Sequence, residues 1–245
     1  MAYFFKEFPP KKFNPFARNI ALSNMSIAHS LIYDYIKDRY PAIPVGISHA
    51  HMIVELLNKK ALISRMLKNF FDFIEHEHVH EYLIRKGQKV DYIGFSYYGR
   101  ILFEGFPLLA YNKKGRERMD ELGIPHDDMW ELYPEGIYKM IRFFYEKYKK
   151  PVLITENGTC TNDDSIRKKS LFNHLKYVKK ACAEKIPVLG YFHWSTFDNY
   201  ELAHGPSRRF GLTSVDFSSP KFTREVKDSG HYYHKIVKSN CLLEP

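Results

Sequence analysis

Apolar positions along the chain follow two rhythms that alternate. From Asn14-Pro15, the residues Ile20, Met25, Ala28, Leu31, Ile32 and Ile36 fall near helical spacing, and Tyr40-Pro41 closes the run. Ile43 to Ser48 is short, partly β-branched and flanked by prolines, which predicts a strand. A second helix is predicted over Ala61 to Ile84, with Ile63, Leu67, Phe70 and Ile74 on one face, and then a strand over Val90 to Tyr98. No period holds from Gly99 to Tyr133, so this stretch reads as a long loop region. Pro134 suits the first turn of a helix running through Lys147. Pro151 to Glu156 is a third strand, ending in the turn signal Asn157-Gly158. A helix from Asp164 to Glu184 follows, striped by Leu171, Leu175 and Val178, then a fourth strand, Pro187 to Trp194. A short strand-like segment, Phe210 to Phe217, and a helix from Thr223 to Lys238 complete the pattern.

Strands alternating with amphipathic helices mean βαβ units and a parallel sheet. Four such strands are half of what a closed (β/α)8 barrel needs, so the count alone allows a small open sheet or half a barrel. The 245 residues, 44% of them hydrophobic, suffice for a packed core and exclude a disordered chain. They read as a single domain spanning 1–245. The net charge of +9 permits nucleic acid or anionic membrane as a partner. Its basic pairs are scattered from Lys11-Lys12 to Arg208-Arg209, which fits a solvated surface with neither partner. Three cysteines without C-x-x-C spacing argue against a disulfide framework or a zinc knuckle and suit a reducing cytoplasm. No uncharged apolar run approaches the ~18 residues of a membrane span, and the start is no signal peptide.

In parallel α/β sheets the chemistry sits at the carboxyl ends of strands. Three predicted ends carry polar or aromatic groups: Ser96-Tyr97-Tyr98, Glu156 and His193-Trp194. A strand-end Glu can cap the next helix, and Tyr98 and Trp194 can be ordinary core residues; Trp faces also serve as platforms for sugar rings. The stretch His193 to Leu212 packs Trp194, Asp198-Asn199, Glu201 and Arg208-Arg209-Phe210 into one loop, a density that suits a polyhydroxylated ligand. A competing motif is His76-Glu77-His78-Val79-His80, which matches the zinc-protease pattern H-E-x-x-H. At ~100° per residue, His76 and His80 lie about 80–120° off the Ile63–Phe70–Ile74 stripe, facing the helix flank. Leu83 stands where the longer metzincin pattern needs Gly.

The segments VLITENG (Val152 to Gly158), YIGFSYY (Tyr92 to Tyr98), WELYPEGI (Trp130 to Ile137) and Gly190 to Phe217, with the tail Thr223 to Val237, resemble glycoside hydrolase family 1, the retaining β-glycosidases. The resemblance covers nearly the whole chain and implies the C-terminal half of a (β/α)8 barrel, strands five to eight. It implies Glu156 as nucleophile, Tyr98 as the tyrosine bonded to it, and Trp194, Glu201 and Phe210 as lining of the sugar pocket. It implies no metal and no cofactor, and a β-linked oligosaccharide or glycoside as substrate. A glutamate at position 201 implies an unphosphorylated sugar.

The sequence departs from the family pattern in three places. The Asn-Glu-Pro motif that carries the acid/base glutamate does not occur; its expected place lies just upstream of Met1. Glu104 and Asp198 are the first candidates for a substitute acid. Leu202 stands for the usual tryptophan after the pocket glutamate, and Ser96 for the usual amide before the tyrosine pair. Four strands leave Ile43–Ser48 and Pro187–Trp194 as open edges, so a companion half-barrel or self-association is expected.

Overall fold

The computed structural model describes residues 14–57, 66, 69, 90–103 and 113–245. Helix α1 (Pro15–Arg39) begins where Asn14 accepts from the Ala17 amide at 2.9 Å, with proline in its first turn. Strand β1 (Gly46–Leu56) and strand β2 (Tyr92–Phe103) follow, then helix α2 (Lys113–Glu121) and helix α3 (Glu135–Tyr148). Strand β3 (Val152–Asn157), helix α4 (Asp164–Ala183) and strand β4 (Val188–His193) continue the alternation. A two-stranded ribbon of β5 (Thr213–Val215) and β6 (Arg224–Val226) leads to helix α5 (Asp228–Ser239).

The four long strands form one parallel sheet in the order β1-β2-β3-β4, as expected for half of a (β/α)8 barrel. Parallel pairing needs a crossover of a dozen or more residues, and α3 and α4 supply it for β3 and β4. Ile93, Phe95, Val152 and Ile154 point from the strands into a core with Ile137, Ile141 and Phe144 of α3 and Val178 and Ala181 of α4. Phe144 is fully buried, and truncation at such a site typically costs about 3–5 kcal/mol. Lys149 ends α3 in the left-handed region (φ 54°) while its amide bonds the Tyr145 carbonyl.

Several elements differ from the sequence expectation. β1 starts at Gly46 rather than Ile43 and runs on to Leu56; in the added stretch His51 is 1% exposed and lies edge-on to Phe144 of α3 at 4.9 Å. β2 runs five residues past Tyr98, and α2 occupies part of the stretch expected to be loop. Only Met119 anchors α2 as a buried apolar side chain, so no stripe announces it. The last helix starts at Asp228, since Arg224–Val226 instead pairs antiparallel with Thr213–Val215. Of the helix expected over Ala61 to Ile84 only Met66 and Asn69 are described, both helical; His76, Glu77 and His80 lie outside the described residues, as does Glu104.

Candidate active site

Glu156 is the penultimate residue of β3, and the ladder to β2 shifts there so that Ser96 opposes Glu156. The shift carries Tyr98 beyond the end of β3, where its hydroxyl donates to Glu156 Oε2 at 2.9 Å. Burial, then the Glu156 charge, raises the Tyr98 pKa well above a free phenol, so the hydroxyl stays protonated and remains a donor. The Tyr98 ring meets Phe210 edge-on at 5.9 Å and tilts against Trp130 at 6.3 Å.

Trp194 follows β4 directly. Its amide donates to the Asn157 carbonyl at 2.9 Å, and its indole Nε1 donates to Glu201 Oε1 at 3.0 Å. The Glu201 charge also acts on the Tyr98 hydroxyl, so the five residues expected at the site, Glu156, Tyr98, Trp194, Glu201 and Phe210, form one cluster. Leu202, beside it, is 79% exposed and adopts a left-handed φ of 29°.

Three supports lie outside the expected site residues: Asn157 and Gly158, expected only as a turn although Asn157 is the last residue of β3, and Asp127. Asn157 is buried; its amide donates to the Tyr97 carbonyl and its oxygen accepts from the Tyr191 hydroxyl, each at 2.7 Å, so it ties β2, β3 and β4 together beside Glu156. Gly158 leaves room for the next strand, since a Cβ there would sit 1.9 Å from the Trp194 carbonyl oxygen. Asp127 accepts from the amides of Met129, Trp130 and Cys160, fixing the Trp130 loop to the loop after β3. Burial pushes its carboxyl up to about 6 against those three bonds. An Asp two residues before a turn amide is an Asx signal that could have found it.

Asp198 does not suit acid catalysis. It is buried and already accepts from the Gly211 amide, Lys227 and Arg209. Among the described residues no group of three His, Cys, Asp or Glu side chains could hold a metal, and no helix is long and apolar enough to cross a membrane.

Behind the cluster, His193 and His174 are shut off from solvent at their Nε2 atoms. Burial, helped by the Arg167 charge, holds His193 near pH 3, and burial holds His174 near 4, against 6.5 for a free imidazole. As pH falls below 6.5 the unfolded chain takes up protons first. Stability is therefore intact above 6.5 and is lost toward pH 4 at about 1.4 kcal/mol per pH unit for each histidine. Asp127 has the opposite sign: its raised pKa favours the folded state as pH falls from about 6 to 3.8, offsetting roughly one histidine. His193→Phe is expected to flatten the urea-derived stability curve by about 1.4 kcal/mol per pH unit between pH 6.5 and 4. Equal slopes for variant and parent contradict this.

The sequence profile of the family described as Glycosyl hydrolase family 1 matches residues 74–242. Beta-glucosidase A of Thermotoga maritima is 39% identical over 166 residues, covering 63% of this chain and 36% of that protein. A beta-galactosidase of Saccharolobus solfataricus is 33% identical over 255 residues, covering 97% of this chain and 52% of that protein. The solved beta-glycosidase of Pyrococcus horikoshii superposes with a TM-score of 0.82 at 27% identity, over 100% of this chain and 59% of that one. The chain thus spans about a third to a half of the length of these curated relatives.

Proposed function

The chain belongs to glycosyl hydrolase family 1, and on that premise we propose that it carries the nucleophile half of a retaining β-glycosidase site for unphosphorylated sugars. The observation that supports this most is the Tyr98 hydroxyl on the Glu156 carboxylate at the carboxyl end of a parallel sheet. In the first step a Glu156 oxygen bonds the anomeric carbon while the bond from that carbon to the leaving oxygen breaks. The leaving oxygen keeps the electron pair and takes a proton from a general acid. Water then bonds the anomeric carbon, giving a proton to the base form of that acid, while the bond from that carbon to Glu156 breaks and returns its electron pair to the carboxylate. Tyr98 aims the carboxylate, and Glu201, held through one oxygen by Trp194, accepts from sugar hydroxyls with the other. The Trp194 and Phe210 rings line the sugar's place.

A 2-fluoro sugar with a dinitrophenolate leaving group tests this, because it traps the covalent intermediate without needing a proton. The label is expected on the peptide holding Glu156 and absent from Glu156→Gln. Tyr98→Phe is expected to slow labelling about 10-fold or more, the loss of one hydrogen bond to a charged group, about 1.5–3 kcal/mol. Labelling elsewhere, or an unchanged rate in Tyr98→Phe, contradicts the assignment.

A second reading is favoured by the open four-stranded sheet: one piece of a split glycosidase that works with a companion chain, or a fragment without turnover. A cytoplasmic setting suits the three free cysteines.

A further inference from the structure

Tyr98 stands at an irregular point of β2. The β1–β2 register passes from His51 opposite Tyr97 to Ile53 opposite Arg100, so Met52 faces two residues, Tyr98 and Gly99. On the other side the β2–β3 register ends with Ser96 opposite Glu156. A bulge of this kind re-aims a side chain, but the ladder then no longer fixes where that side chain points. The Tyr98 hydroxyl nevertheless reaches Glu156, so contacts from outside the ladder must hold it. A hairpin over 125–132 supplies them. It is closed by the Leu132 amide on the Pro125 carbonyl and the Asp127 amide on the Trp130 carbonyl, each at 2.8 Å, and its Trp130 ring tilts against the Tyr98 ring. Gly99 lets the hairpin lie directly on β2, since a Cβ there would sit 2.6 Å from the Glu131 carbonyl oxygen and 3.0 Å from Trp130 Cβ.

Arg100, the next residue, grips this hairpin. Its Nε and Nη2 donate to the two Glu131 oxygens at 2.9 and 2.5 Å, and its Nη1 donates to Glu55 at 2.6 Å. A guanidinium fork on a carboxylate fixes orientation as well as distance. The Arg100 Cζ lies 4.0 Å from the centre of the Tyr133 ring, which keeps the guanidinium plane from turning. The Glu131 side chain is only 4% exposed, so the pair is little screened. Two further bonds clamp the hairpin to segments that carry the rest of the site. The Asp128 amide donates to the Cys160 carbonyl in the loop after β3 at 2.9 Å, and Arg208, two residues before Phe210, donates to the Asp128 carbonyl at 3.2 Å. We propose that the hairpin 125–132 braces the site and that Arg100 is a positioning residue, acting through Glu131 and Trp130 to hold Tyr98 on Glu156. That the held carboxylate attacks a sugar rests on the glycosidase reading; the brace rests on the geometry of the bulge.

Carbon NMR of the full chain, with carbon-13 at the tyrosine ζ positions, tests this without any sugar. Tyr98→Phe identifies the Tyr98 signal, and Glu156→Ala shows where that signal moves once the hydroxyl loses its partner. Arg100→Lys keeps the charge but not the fork, and is expected to carry the signal toward its Glu156→Ala position. Glu131→Gln, which keeps the side chain's shape and leaves only one acceptor, is expected to carry it the same way with an unchanged circular dichroism spectrum. A signal that stays at the parental position in Glu131→Gln, or in a folded Arg100→Lys, overturns the proposal. Labelling by the fluoro sugar gives the second readout. Glu131→Gln alone is expected to slow it about threefold or more, yet to add nothing to Tyr98→Phe, because two changes that act through one bond are not additive. Rates that multiply mean that Glu131 acts independently of Tyr98, and they overturn the proposal. A Tyr98 signal that moves as expected in a chain that never takes up label at Glu156 keeps the brace and sinks the glycosidase reading.

Discussion

Pure chain is expected to turn over an unactivated disaccharide at least about 10²-fold, and up to 10⁴-fold, more slowly than a dinitrophenyl glycoside of the same sugar. That is the usual worth of general-acid help, which a sugar leaving group needs and a dinitrophenolate does not. No Asn-Glu-Pro occurs in the sequence. Of the two substitutes, Asp198 is committed to Lys227, Arg209 and the Gly211 amide, and Glu104 lies outside the described residues. Glu201 shares the cluster with Glu156, but the Trp194 indole holds one of its oxygens. Steady-state rates on the two substrates decide the matter. Near-equal kcat/KM values mean that a resident acid exists, and replacing Glu201 and Glu104 by Gln in turn identifies it.

Arg167→Met is expected to lower stability by about 3–5 kcal/mol, the range for removing one partner of a buried ion pair. In a chain of this size that shifts the thermal midpoint by roughly 6–20 °C. Arg167 is the largest fully buried side chain described. Its Nη1 lies 2.5 Å from Asp164 Oδ1, and its Nη2 donates to the carbonyls of Thr161 and Arg209. It therefore ties the loop after β3 to the segment before Phe210, the two pieces that flank the site. Burial raises the Asp164 carboxyl, but bonds from Ser229 and Arg167 outweigh it and hold it below the usual carboxylate range. Without Arg167, Asp164 keeps only Ser229, whose amide and hydroxyl donate at 2.8 and 2.6 Å. Asp164→Asn in the Arg167→Met background is expected to recover part of the loss. A midpoint within about 2 °C of the parent shows that solvent already offsets the pair.

Legibility in the sequence tracked the ratio of apolar to polar anchoring. β3, α4 and β4 lie within a residue of their predicted bounds, because Val152, Ile154, Leu171 and Val178 pack into the structure where the pattern puts them. β1 was half legible: its polar His51 is held by an aromatic contact with a residue almost a hundred positions away, which no local period encodes. In the β5–β6 ribbon, β5 falls within the strand-like segment expected over Phe210 to Phe217, whereas all three residues of β6 are exposed, so hydropathy carries no trace of that second strand. Position at strand ends pointed to Glu156, Tyr98 and Trp194 as polar or aromatic groups out of place. Their roles, and those of Glu201 and Phe210, came from the family resemblance. The Tyr98–Glu156 bond depends on a register shift between β2 and β3, which is a property of the sheet rather than of either segment.

Asn157 and Gly158 answer to architecture. One ties three strands together, and the other leaves no space for any side chain against Trp194. Glu156, one position earlier, presents a carboxylate that accepts from the Tyr98 hydroxyl at the site. Random substitution therefore meets two different filters within three adjacent codons. A change at 157 or 158 is removed because the chain misfolds, whatever the chain is used for. A change at 156 leaves a folded chain and is removed only where the carboxylate is in use. Surveying folded variants from a mutant library, sorted on solubility alone, would leave Asn157 and Gly158 fixed while Glu156 diversified, so a glutamate at 156 speaks of employment where its two neighbours speak only of shape.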